Sequence, residues 1–555
     1  MRRTLAILTA IAAGGLAANC LAGWQKIASS ACLAPAAQAR TVAMLPDEKW
    51  WGAANFFGEQ MPFDAKTTLE IDLVRQGGSG NQFASLLLSD RGRVIWCERQ
   101  CVFSFADGRI AVMPEGEAEV KVVEAGKTLR DAYLFASRTY FPPSGRMPDA
   151  LFFSAPQLNT WIELTYRQNE QDILAYAEAM RANGVPPGVL MIDDTWQAGY
   201  GDWRFEPSRF RDPKGMVAKL HAMGYKVILW MCPWVGMDLP AYRFLTRGED
   251  PFREGKFPTG GFLMEPDGAK VHPCEWWNGV SALLDLTHPN GRAWFKGELD
   301  RLVRDYGVDG FKLDGGYIRY YCAGLKAFAD LPGGDQANAY QSFALEYPVC
   351  EYRHSWKSGG QPIVQRLADK DHTWEALRSL MPELIAGGLL GYQFLCPDMI
   401  GGGEYHSFLP GAKFDAELFI RSAQVHALCG MMQFSASPWR LLDADGQKIV
   451  RDLVRLRQEK FAARFVALAE ACAKSGEPMI RAMEYQYPGH GFADIRDQFA
   501  MGDFLIVAPQ VEKGARTRTV RLPSGTWTSD RGETVVGPAT LTVETPLSRL
   551  PYFTR

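Results

Sequence analysis

The chain has 555 residues, three to four times the roughly 150 of a typical domain, so a single small module is excluded. Apolar residues make up 47% and charged residues 22%, the balance of a folded protein with ample surface to bury. With 60 Lys plus Arg against 63 Asp plus Glu, the net charge of −3 gives no electrostatic reason to expect nucleic acid or an anionic membrane as a partner.

Arg2 and Arg3 precede an uncharged run, Thr4 to Gln25, rich in Leu, Ala, Ile and Gly. A basic start followed by an apolar run reads as a secretory signal, and Ala37-Gln38-Ala39 offers the small residues of a cleavage site. Residues 1–39 are therefore expected to direct export to a periplasmic or extracellular location. Tethering to the membrane through this segment, or through a lipid on Cys20, is the alternative to cleavage. Removing Cys20 and Cys32 from the eleven cysteines leaves nine, an odd number that implies a free thiol. Cys97 and Cys101 are close enough in sequence to pair in an oxidising compartment.

Residues 40–155 alternate in short strands broken by turns, such as Thr68–Val74, Phe83–Leu88, Val94–Cys97 and Glu119–Val123. That pattern predicts an N-terminal β-sandwich. Gly77 to Gly80 lack the following Lys and helix of a phosphate loop and read as a turn. Residues 156–475 switch to apolar strands alternating with amphipathic helices. Eight strands are predicted: Val189–Ile192, Val227–Trp230, Ala282–Leu286, Gly310–Leu313, Val349–Tyr352, Ile363–Leu367, Tyr392–Leu395 and Met431–Phe434. Eight such units in succession argue for an α/β fold of the closed (β/α)8 TIM-barrel type. A long helix from Gly446 to Cys472 leads to a small C-terminal β domain over residues 476–555.

A barrel presents its chemistry at the C-terminal ends of its strands. On this reading Asp193 and Asp194 follow strand one, Trp230 and Trp234 flank the end of strand two, and Asp285 lies in strand three. Asp314 ends strand four, Arg353 five, Asp369 six and Asp398 seven, while Lys312 reaches the site or pairs with Asp193 or Asp194. His406 lies on the loop after strand seven. A lone Asp after a strand is more often a turn or helix cap, but the recurrence at seven strand ends points to one polar mouth. Paired carboxylates on opposite sides of a sugar ring are what acetal hydrolysis requires, and indole faces suit the C–H surface of the ring. Trp230 reads equally well as barrel core. The eight histidines form no HxH or HExxH, so neither a metal nor a cofactor is implied.

These residues resemble family 31 of the glycoside hydrolases, the retaining α-glycosidases. The resemblance runs through Asp193-Asp-Thr-Trp196, Tyr200-Gly-Asp-Trp-Arg-Phe205, Leu229-Trp-Met-Cys-Pro233, Leu284-Asp-Leu-Thr287, Phe311-Lys-Leu-Asp-Gly315 and Pro397-Asp-Met-Ile-Gly-Gly402, in order. Arg366-Leu-Ala-Asp369 and Leu395-Cys-Pro-Asp398 are closer to the α-galactosidase-like branch of the family that contains the myogenesis-regulating glycosidase. The resemblance implies an exo-acting enzyme with Asp314 as nucleophile, and Arg353 as a substrate contact of that branch. Counting back from Trp374 without gaps puts Asp369 at the acid/base position, with Asp371 as rival. Asp193, Asp194, Trp230, Trp234, Asp285, Lys312, Arg353 and Asp398 are expected to bind a terminal α-linked sugar, an α-galactoside first and an α-glucoside, α-xyloside or sulfoquinovoside otherwise. A carbohydrate-binding barrel without catalysis is the competing class. Closeness to Asp314 is expected to keep Asp369 protonated. Two departures stand out: Lys370 replaces an Asn, and Gly403-Glu404 replaces a Phe found in many members. The stretch from Asp238 to Glu275 matches no family segment.

Overall fold

The computed structural model describes residues 39–75, 81–249, 255–321 and 324–555. The export signal, the turn at Gly77–Gly80, and residues 250–254 of the unmatched stretch lie outside the described residues. Among the described residues no helix is long and apolar enough to cross a membrane.

Two β-sheets form the N-terminal region. One is antiparallel, in the order Arg40–Ala43, Arg109–Pro114, Cys101–Ala106, Leu69–Asp72. The other is built on Gln82–Ser89, which pairs with Trp50–Ala54 and Arg93–Cys97, the latter in turn with Val120–Glu124. Gln82–Ser89 is buried along its whole length because a sheet neighbour or the barrel covers every residue. Cys97 and Cys101 are both buried and unpaired. The region is not all β, as its alternation suggested. A helix spans Leu129–Tyr140, started by a reciprocal Thr128–Asp131 capping box and burying Leu129, Ala132, Tyr133 and Ala136 on one face.

The parallel eight-stranded sheet has the order Leu395–Cys396, Val364–Arg366, Val349–Tyr352, Gly310–Leu313, Lys226–Met231, Val189–Ile192, Gln157–Asn159, Gln433–Phe434. The two end strands are joined by the Ile400 N–H donating to the Gln433 carbonyl at 2.9 Å. The Gln433 side chain also donates to Gln157 (2.9 Å) and Glu351 (2.8 Å) across the interior. Seven of the eight strands agree with the expected segments. The exception is Ala282–Leu286, which is not a barrel strand. Gly279–Leu283 instead forms a three-stranded antiparallel sheet with Trp234–Val235 and Pro273–Trp276. The true first strand, Gln157–Asn159, escaped notice because two of its three residues are polar. They are tolerated in the interior because each amide oxygen finds a donor there, the Trp161 N–H for Asn159 and the Gln433 amide for Gln157. Asp193 and Asp194 therefore follow the second strand, Trp230 sits in the third, and strands four to eight keep their places.

The predicted helix after the barrel is interrupted. Ala444–Leu456 and Ala462–Ser475 flank one turn of π-helix, Arg457–Phe461. The extra residue turns Arg457 inward, where its guanidinium donates to the carbonyls of Ala427, Cys429, Gly430 and Phe153. A six-stranded sheet dominated by the hairpin Thr517–Ser529/Thr534–Glu544 forms the C-terminal region. Its own small core is centred on Met483, Trp527 and Phe553, separate from the continuous core of the rest.

Candidate active site

Asp314 follows the fourth strand, whose Phe311 and Leu313 pack into the barrel wall. The next residue must be glycine. Gly315 has φ +73°, and a Cβ there would lie 2.2 Å from the Trp234 ring. The Asp314 carboxylate accepts from the Trp230 indole N–H at 3.1 Å and from the Gly315 N–H at 2.8 Å. Nη1 of Arg353 lies 3.7 Å away and Nζ of Lys312 3.9 Å away. Burial pushes this carboxyl up, but the charges of Arg353, Lys312 and Arg366 outweigh it and hold it below the usual range.

Asp369 approaches from the turn after the sixth strand. Arg353 Nη1 donates to its Oδ1 at 3.3 Å and Arg366 Nη1 at 2.8 Å, while the side chain stays 41% exposed toward the mouth. One guanidinium nitrogen thus stands between the two carboxylates, so their facing oxygens lie within about 7 Å of each other. Asp371 is exposed, and its backbone carbonyl accepts from the Thr373 N–H. The expectation that Asp369 is protonated in the free site is corrected. Desolvation raises it, but Arg353 and Arg366 together hold it far below the ordinary carboxylate range.

Arg366 is the hub beneath this pair. Buried at 1% exposure, it reaches Asp369, Asp398 and, through Nε, Glu351 at 3.3 Å. Asp398 is fully buried with φ +80°, an unfavourable backbone state for a non-glycine residue. In return its second oxygen accepts the Lys370 N–H at 2.8 Å, fixing the turn that carries Asp369. Asp398 therefore sits one layer behind the mouth. The Lys370 amine points away, to Glu383 on the following helix at 2.6 Å.

Lys312 pairs with Asp193 at 2.6 Å, both buried. Asp194 gathers the Thr195 N–H, the Gln197 amide, the Tyr200 hydroxyl and the Asn278 amide, the last at 2.9 Å. Burial raises its carboxyl to about 6, with the neighbouring Asp193 charge adding to the rise and the bonds from Gln197, Thr195 and Asn278 opposing it. Trp230 is closed off as a sugar platform: its ring is buried and its N–H is committed to Asp314. Trp234 is buried too, stacked on Trp276 at 4.4 Å between ring centres. The exposed ring of that group is Trp277, at the tip of the hairpin that also delivers Asn278. Asp285 does not join the site. Its Oδ1 accepts from the Thr287 N–H and hydroxyl and its Oδ2 from the Phe328 N–H, so the carboxylate holds a loop together. That follows from the loss of Ala282–Leu286 as a barrel strand.

Five functional contributors were missed. Tyr200 lay inside a motif already noted, and Arg366 was read only as a family marker. Trp277 and Asn278 follow directly on the unmatched stretch. Gln82, from the N-terminal sheet, donates to the carbonyls of Arg353 (2.6 Å) and Arg366 (3.0 Å), an arrangement no local pattern announces.

A (β/α)8 barrel whose strand ends gather two carboxylates about one guanidinium defines the class, a barrel of the glycoside hydrolase type. Residues 155–459 match the description "Glycosyl hydrolases family 31 TIM-barrel domain" and residues 476–555 "Glycosyl hydrolase family 31 C-terminal domain". The chain belongs to glycosyl hydrolase family 31. It is 32% identical over 441 residues to the myogenesis-regulating glycosidase of Mus musculus, covering 77% of this chain and 60% of that protein. It is 26% identical over 394 residues to the 1,3-alpha-isomaltosidase of Kribbella flavida, covering 64% and 51%. Among solved structures, a GH31 alpha-xylosidase from a soil metagenome complexed with xylose superimposes with a TM-score of 0.79 at 20% identity, covering 93% of this chain and 79% of that one. The chain spans less than two thirds of the length of both curated relatives.

Proposed function

We propose that the protein is a retaining, exo-acting α-glycosidase that removes a terminal α-linked sugar by double displacement. Asp314 attacks the anomeric carbon as Asp369 gives its proton to the departing oxygen. Asp369 then takes a proton from water, which displaces Asp314 and restores the starting configuration. The observation that carries this reading is Arg353 Nη1 placed 3.7 Å from one carboxylate and 3.3 Å from the other. The resulting bound admits the about 5–5.5 Å of a retaining pair and leaves only the short end of the about 6.5–9.5 Å range of an inverting one.

Because the free site holds Asp369 ionised, it takes up its proton as substrate binds and sugar hydroxyls compete for Arg353. The kcat/KM profile, which reports the free enzyme, should therefore have its optimum on the acidic side and fall as pH rises. An α-galactoside is the first sugar to test, on the likeness to the α-galactosidase-like branch. The names of the other relatives make α-glucosides and α-xylosides the next. The deciding experiment is hydrolysis of p-nitrophenyl α- and β-glycosides by wild type and Asp314→Asn. One α-glycoside should turn over and lose about 10⁴-fold or more in the variant. Turnover of β-glycosides alone, or undiminished activity of Asp314→Asn, would overturn the assignment.

A further inference from the structure

Asp369 sits on a turn, residues 367–373, that is neither strand nor helix and joins the sixth barrel strand to the helix Trp374–Leu389. On the side facing the site its carboxylate is held by Arg353 at 3.3 Å and Arg366 at 2.8 Å. Those bonds belong to the ionised form and weaken whenever the carboxyl takes up a proton. A group that carries a proton in one step and loses it in the next needs anchors that do not depend on its own charge.

The next residue, Lys370, supplies them. Its N–H donates to Asp398 Oδ2 at 2.8 Å, and its carbonyl accepts from the Glu404 N–H at 3.2 Å. The loop that brings Glu404 lies tight against the turn: a Cβ on Gly402 would be 2.3 Å from the Lys370 carbonyl oxygen. The Lys370 side chain runs the other way, to Glu383 on the helix, at 2.6 Å. The two side chains are 12% and 5% exposed, so the pair is shielded from solvent and from salt. Glu383 stands on a fixed base. It follows Pro382, and a Cβ on Gly58 of the N-terminal region would lie 2.5 Å from the Pro382 carbonyl carbon. Packing alone does not hold the turn, because a cavity of about 20 Å³ lies between it and the neighbouring helices, lined by Lys370, Asp371, Thr373, Leu377 and Leu418 among others.

We propose that the Lys370–Glu383 ion pair positions the acid/base, with Lys370 and Glu383 as positioning residues that touch neither the substrate nor the reacting atoms. This rests on Asp369 being the acid/base and adds to that reading what keeps it in place through the cycle. Two backbone bonds tie the turn to the loop after the seventh strand, and the side-chain pair ties it to the helix after the sixth. Without the pair the turn keeps its fold but is held from one side, beside a cavity into which it can relax. The proton on Asp369 then misses the departing oxygen more often, while Asp314 and the sugar-binding groups stay where they are.

The test compares kcat/KM on a methyl and a 2,4-dinitrophenyl α-glycoside of the sugar that the p-nitrophenyl series selects. The methyl glycoside needs the proton of Asp369 to depart, and the dinitrophenyl glycoside does not. Lys370→Met should lower kcat/KM by about 10-fold or more on the first and stay within about twofold of wild type on the second. Glu383→Gln should show the same split. Because each variant removes the same tie, the double variant should lose no more than the worse of the two. Equal losses on the two glycosides, no loss on either, or losses that multiply in the double variant overturn the proposal. Glu383→Gln decides by itself if Lys370→Met fails to fold, since it leaves no buried carboxylate without a partner. Asp369→Ala keeps the two readings apart. A loss selective for the methyl glycoside in Asp369→Ala but absent from Lys370→Met and Glu383→Gln removes only the positioning role. An equal loss on both glycosides in Asp369→Ala removes the acid/base assignment, and the positioning role with it.

Discussion

The two β regions that flank the barrel differ in what they touch. The N-terminal sheet enters the catalytic face. Ser355–Trp356, just past Arg353, adds in parallel to the edge of Gln82–Phe83. Asn81 accepts the Ala368 N–H at 2.6 Å, and Gln82 holds the backbone of both catalytic-face arginines. The C-terminal region instead grips the helix Ala416–Ala427 outside the barrel wall. Buried Arg421 donates to the Thr545 carbonyl at 2.7 Å and Gln424 to that of Leu547 at 2.7 Å. Exposed ion pairs, Lys513–Asp415 and Arg516–Glu417, edge the contact. The two regions therefore serve different ends: the first holds the backbone of Arg353 and Arg366, and the second holds a layer of the wall in place.

The sharpest way to break this contrast is Gln82→Ala. Gln82 is fully buried and its amide fixes the two backbone segments that aim Arg353 and Arg366 at the carboxylates. Misplacing catalytic-face groups by about 1 Å costs on the order of 10²-fold, so kcat/KM should fall by up to about that much. A loss confined to Tm would put the N-terminal sheet in the same structural role as its counterpart. Arg421→Ala makes the converse case. Stranding the carbonyls it serves should cost about 2 kcal/mol and lower Tm by on the order of 2 °C. Its kcat/KM at low temperature should stay within about twofold of wild type, and a larger kinetic defect would erase the distinction.

The smallest effect belongs to the barrel alone. Asp194, with its carboxyl raised to about 6, accepts from Tyr200 and Asn278 as a carboxylate above that pH and gains a proton below it. If the ionised form binds sugar hydroxyls, KM should rise as pH falls through about 6. Asn278→Ala removes a bond to the ionised form, so it should move that rise to higher pH. Gln82→Ala and Arg421→Ala should leave this limb in place, which a pH series of KM for the three variants would check.

Much of this molecule follows from local pattern. Short apolar strands alternating with amphipathic helices define a barrel whatever the details, because parallel strands need a helix on each return and both faces covered. Asp314 was legible because its motif is contiguous, from the buried Phe311 to the Gly315 that the Trp234 ring demands. The identities of the groups around Asp369 were legible only in part. Asp285 sits in a motif like its neighbours but is claimed by the Phe328 N–H, forty-three residues on, which no spacing reveals.

What the sequence by itself determined is the order of elements and the residues at the strand ends, since both rest on periodicities of two and 3.6 and on short contiguous motifs. The tertiary structure alone decided which charges surround Asp369, how near both carboxylates come to Arg353 and which backbone carbonyls Gln82 holds. The reason is physical: each depends on distances between groups far apart in the chain. Coulombic and hydrogen-bond energies change steeply over a few ångströms that sequence spacing does not specify.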